Sequence, residues 1–178
     1  MTKEETKVIL SVLKAGYPNF YKDLKRDDAD QIINLWSTMF ADDSAKIVTE
    51  AVKSLMCTLK FPPTIADVKE KIILITQPQT ETELEAWGKV LKAIQNANYQ
   101  AQEYFDNFLP TIQKLVGSPR QLREWAMMES EIVNSVIQSN FMRSYSARVK
   151  QEKEYSALPD STKELIETTK ARLLGDGN

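Results

Sequence analysis

Apolar residues recur every three or four positions along most of this chain, and each stretch opens on a residue able to cap a helix. That spacing follows the 3.6-residue turn rather than the alternation of a strand, so the expected fold is a set of amphipathic helices packed through their apolar faces. Thr2 with Glu5 has the form of a capping box, after which Val8, Ile9, Val12 and Leu13 keep helical spacing as far as Gly16. A turn at Tyr17-Pro18-Asn19 follows. Asp27 or Asp28 then offers a cap for a second helix bearing Ile32, Ile33, Leu35, Trp36, Met39 and Phe40. Asp43 or Ser44 offers one for a third, with Ile47, Val48, Ala51, Val52, Leu55, Met56 and Leu59 as its stripe. Phe61-Pro62-Pro63 ends it, and Thr64 with Asp67 starts a fourth helix from Ile65 to about Ile75.

The second half repeats the logic without repeating the sequence. Thr80 or Thr82 caps a helix carrying Leu84, Trp87, Val90, Leu91 and Ile94, and shorter helices are expected over 102–108 and 110–116, the latter stopped by Gly117. Ser118-Pro119 opens another, with Leu122, Trp125 and Met128. Ser130 is the expected cap of the longest helix, reaching Leu158, in which Val133, Ile137, Phe141, Tyr145 and Val149 step by four and Ile132 and Val136 widen the stripe. Pro159 interrupts it, and a weakly amphipathic helix from Ser161 carries Leu165, Ile166, Leu173 and Leu174. No stretch reads as a strand. The predicted class is all-α: a four-helix module over 1–76, a linker over 77–82, a second helical region with one long helix over 83–158, and a helical tail over 159–178.

Composition narrows the chemistry. The 178 residues include no histidine, so the commonest general base and the commonest transition-metal ligand are both missing. The single cysteine, Cys57, falls beside the apolar face of the third helix and is expected to be a buried, inert thiol. The one Gly-Lys pair, Gly88-Lys89, lies inside a predicted helix and precedes valine, which is not a phosphate-cradling loop. Asp27, Asp28, Asp30, Asp42 and Asp43 can hold a hard cation in principle, but carboxylates at helix starts serve as caps. No catalytic residue, cofactor or metal is assigned. With one cysteine, no signal-peptide-like start and no apolar run approaching the roughly 20 residues of a membrane span, a cytoplasmic address is expected.

A net charge of −2 argues against a protein that binds nucleic acid by phosphate neutralisation alone. One region departs from the balance: residues 132–151 hold no acid but include Arg143, Arg148 and Lys150, with Phe141 and Tyr145 interleaved. Together with Arg120, Arg123 and Trp125 this patch suits either single-stranded DNA or a protein partner. A solvated helix face above a buried aromatic seam explains it equally.

The segments VLKAGYPNFYKD, INLWSTMFADD and FPPTIADVKEKI, in that order, resemble the loader and inhibitor proteins of replicative helicases in phages of Gram-positive bacteria. The stretch from Ala86 to Glu154 resembles a helical region of longer phage replication proteins. The resemblance implies a non-enzymatic protein, in the cytoplasm of a bacterial host, that binds the ATP-bound form of a DnaB-type hexameric helicase. It further implies that the protein holds back the helicase's ATPase and unwinding and passes it to a phage origin-binding initiator. Trp36, Phe40 and Phe61 are then expected in the core of the N-terminal module. Leu165, Ile166, Leu173 and Leu174 are candidate anchors for a groove on the helicase, or else dock back on the long helix. The alternatives are a helical DNA-binding module, an enzyme using the aspartates, and a coiled-coil assembly protein, the last opposed by the lack of a clean heptad.

Overall fold

The structure is a computed structural model that describes residues 1–77 and 81–175, without the side chains of residues 174 and 175. Among the described residues there are helices and no strands, so the chain is all-α. Contacts group it into two units, residues 1–78 with 154–178, and residues 79–153.

The first unit begins with α1 (Lys3–Gly16), whose capping box at Thr2 and Glu5 is closed in both directions. The residues expected to form a bare turn coil into a one-turn helix, α2 (Pro18–Tyr21), because proline is preset for a first helical position. α3 (Arg26–Met39) starts earlier than expected, from Lys25, which places Asp27 and Asp28 in its first turn rather than at its cap. There they face the free amides and the positive end of the helix. α4 (Ala45–Met56) starts from Ser44, and α5 (Ile65–Thr76) from the capping box of Thr64 and Asp67. The core joins Ile9, Leu13, Trp36, Phe40, Val48, Ala51, Val52, Val68 and Ile72. Asp43 caps nothing: its carboxylate accepts a 2.7 Å hydrogen bond from the Lys69 ammonium, with little of either side chain exposed, and that ammonium lies 5.1 Å from the centre of the Phe40 ring.

Three expectations for this unit are overturned. Phe61 is 66% exposed, because the prolines after it hold it in the α4–α5 connection, beyond the reach of the core. Leu35 and Leu59 are exposed at the edges of their stripes. Cys57, one residue past the end of α4, is exposed, with its thiol donating to the Lys53 carbonyl.

The second unit opens with α6 (Glu83–Gln95), whose cap is Thr82 in a closed box with Glu85. Those hydrogen bonds to Thr82 hold the Glu85 carboxyl below its ordinary range. The alternative cap, Thr80, and most of the expected linker lie outside the described residues. α7 (Ala97–Asp106) starts earlier than the expected 102–108, and α8 (Pro110–Val116) and α9 (Pro119–Ala126) follow the sequence pattern. Gly117 joins these last two at φ +83°, where an L side chain is strained. Gly117→Ala is expected to cost about 1–2 kcal/mol, read by chemical denaturation; an unchanged midpoint would show that the turn relaxes freely.

The long helical run comprises α10 (Ser130–Ile132), a π-helical segment (Val133–Ile137) and α11 (Gln138–Ala157). It starts from Glu129 rather than Ser130. A stripe stepping by four drifts by about 40° per step on a 3.6-residue helix. The wider π turn absorbs part of that drift, which keeps Val133 in register with Phe141 and Tyr145 on the core side. Ile132 and Val136, expected to widen the stripe, turn outward and are exposed, as are Leu84 and Met128. Trp87, Val90, Ile94, Ile112, Val116 and Leu122 complete this core.

α12 (Asp160–Gly175) belongs with the first unit. Pro159 sets where the helix breaks, whereas contacts set the unit boundary at 154, so the two divisions differ in kind.

Candidate partner-binding surfaces

α12 is attached by polar groups. The Asp160 amide donates to Asp42 at 2.9 Å, so one of the free amides at its start is satisfied by a side chain 118 residues away. The Tyr155 hydroxyl donates to Glu167 at 3.1 Å, and the Lys170 ammonium sits 5.7 Å from the centre of the Tyr155 ring while pairing with Glu167. Glu167 and Lys170, three residues apart, therefore share the attached face. Leu165 lies about 160° around the helix from Glu167, at 100° per residue, and is 67% exposed. Leu173 is 75% exposed and Ile166 is half-buried. Leu165 and Leu173 do not dock back on the long helix; the side chain of Leu174 lies outside the described residues.

The arginine patch falls in the second unit. Arg120 is exposed and pairs with Glu124 at 2.9 Å one turn on, and Arg123 and Arg143 are exposed while Arg148 is half-buried. The aromatic members differ from expectation. Tyr145 is 3% exposed, stacked on Phe141 with ring centroids 5.9 Å apart, and its hydroxyl donates to the Glu81 carbonyl. Burial, followed by the charges of Glu81, Glu152, Glu83 and Glu85, pushes its phenol above the ordinary range. A ring packed in the core, with four glutamates acting on it, is not offered to a nucleobase. Tyr145→Phe is expected to lower the stability of this unit by about 1 kcal/mol and leave single-stranded DNA binding unchanged, checked by denaturation and fluorescence anisotropy. A loss of DNA affinity would reinstate Tyr145 as a contact.

Trp125 is half-buried and lines a cleft of about 260 Å³ with Leu91, Ile94 and Val133. The helical period signalled both it and Tyr145 as core, and that signal outweighs the nearby arginines. Among the described residues no group of three or more acidic or thiol side chains could hold a metal ion. No helix among them is long and apolar enough to cross a membrane.

Comparison with curated proteins and with solved structures finds no match. A family model for the N-terminal domain of the phage protein gp39 matches residues 1–69, a span that covers α1 to α4 and the first turn of α5. Residues 1–69 accordingly belong to the gp39 N-terminal domain of the phage helicase loader and inhibitor family.

Proposed function

We propose that this chain is a non-enzymatic phage DNA replication protein that binds a DnaB-type hexameric helicase in its ATP-bound form. It restrains the helicase's ATPase and unwinding and delivers it to an origin-bound initiator. The observation that carries this reading is the gp39 N-terminal domain over residues 1–69. The sequence adds that the chain has no histidine and no phosphate-cradling Gly-Lys-Ser or Gly-Lys-Thr loop, so binding energy is what it has to work with.

A protein that spends no nucleotide can bias the helicase only by binding one conformation more tightly than another. Each tenfold preference supplies about 1.4 kcal/mol toward the bound state. The exposed face of α12 around Leu165 and Leu173 offers apolar anchors on a rigid helix, suited to a groove on the partner. Arg120, Arg123, Arg143 and Arg148 give a second, charged contact to helicase or to DNA near the loading site.

The test is light scattering after gel filtration of the protein mixed with its cognate helicase, with and without ATP, alongside helicase ATPase rates. A complex that needs ATP and turns over slowly is the expected result. No complex in either state would end the proposal.

A further inference from the structure

Two of the segments that carry the family resemblance meet at the surface of the first unit, around a feature that its core does not account for. Phe20 of α2 packs edge-on against Phe61 of the α4–α5 connection, with centroids 5.6 Å apart and planes at 82°. Both rings stay largely open, 56% and 66% exposed. The pair is held in place from beneath. Tyr17, itself buried, lies edge-on to Phe20 at 6.5 Å, and its hydroxyl donates to the Leu59 carbonyl at 3.2 Å, tying the connection to the end of α1. Two phenylalanines kept rigid and wet forgo the roughly 1.5–3 kcal/mol that burial of each would return.

The charges around the pair are of one prevailing sign. Lys14, Lys22, Lys25, Arg26 and Lys60 flank the two rings in sequence and are all exposed, and none has an ion-pair partner among the described residues. Lys7, Lys53 and Lys69 of the same unit are each paired. The acids within this stretch are Asp23, and Asp27 and Asp28 in the first turn of α3, where the helix's free amides offset their charge.

We infer that the Phe20–Phe61 pair and the cations beside it form a docking surface for an acidic protein segment that carries aromatic or aliphatic anchors. The charge complementarity selects the occupant. A peptide can set carboxylates against the lysines and avoid Asp23, whereas a nucleic acid presents a phosphate at every step. The edge-on packing also leaves the two rings without the parallel open faces on which successive bases stack. Apolar contact at the rings supplies affinity, and the cations supply orientation and speed of encounter.

Fluorescence anisotropy of the full chain with a labelled peptide (EELF)3 tests the inference, with the equally charged (EESS)3 and a twenty-nucleotide oligothymidylate as comparisons. The expected order is (EELF)3 tightest by about tenfold, with Phe20→Ala/Phe61→Ala and Lys22→Glu/Lys60→Glu each losing about tenfold. All four positions are exposed, so unchanged melting in both variants shows that the fold persists. Equal binding of the two peptides, no peptide binding, or tighter binding of the oligonucleotide overturns the inference. Helicase complex formation by the same variants is measured in parallel and is expected to be unchanged, so failure here is separable from failure of the helicase reading.

Discussion

Replacing Phe40 by alanine is expected to lower the stability of the first unit by about 4 kcal/mol, within the range for deleting a buried phenylalanine. The ring is fully buried, with its centroid 5.3 Å from that of Trp36, so truncation leaves a cavity at the centre of the core. It also removes the aromatic face near the Lys69 ammonium, a contact worth about 1–2 kcal/mol where water is excluded. The Lys69–Asp43 pair that remains would be open to water on that side and gain less from its geometry. For a unit of this size the loss corresponds to a fall in melting temperature on the order of 20 °C. Phe40→Leu separates the two effects, since it keeps most of the volume and loses the ring, and should cost about half as much. Thermal and urea denaturation followed by circular dichroism check both variants. A loss below about 1 kcal/mol in the alanine variant would mean that α1, α3 and α4 close over the gap.

The features legible in the sequence are those whose cause is local. Thr2, Thr64, Thr82 and Ser118 are caps because each side chain accepts from an amide three residues on, which spacing alone reveals. The stops at Gly16 and Gly117 and the buried residues at the centres of the stripes are legible for the same reason. Stripe edges are not. Leu35, Leu84, Val136 and Phe61 continue their patterns yet stay exposed, because coverage depends on neighbours that periodicity does not name. Partners distant in the chain are equally hidden: Asp43 meets Lys69 26 residues on, and Asp42 serves the start of α12 from the far end of the chain. Both aspartates read as caps for the nearest helix.

Among candidate site residues, the sequence offered two roles for Tyr145, as a member of a four-residue stripe and as a stacking ring beside arginines. The structure buries it, so the periodic reading describes its position. For Leu165 and Leu173 periodicity could not distinguish a face turned toward the long helix from one turned away. That choice is made by Tyr155, Glu167 and Lys170, whose polar contacts fix the rotation of α12 about its axis.

That fixed rotation makes the second large prediction sharp. Leu165→Ala/Leu173→Ala is expected to weaken the helicase complex by two to three orders of magnitude while leaving the melting temperature of this protein unchanged. Alanine is the residue most favourable to helix, and both leucines are exposed, so the substitutions preserve α12 and its attachment through Glu167 and Lys170. What they remove is apolar area available to a partner. An anchor filling a groove contributes about 2 kcal/mol when truncated to alanine, and two such anchors correspond to about 4 kcal/mol, or close to a thousandfold in dissociation constant. Light scattering and a titration of helicase ATPase suppression read the effect. Glu167→Gln/Lys170→Gln serves as the matched comparison: it keeps both leucines, loosens the contacts that hold α12 against Tyr155, and is expected to weaken the complex far less. If the leucine variant instead bound helicase normally, the contact would lie away from this face, and the exposed arginines of the second unit would be the next surface to reverse in charge.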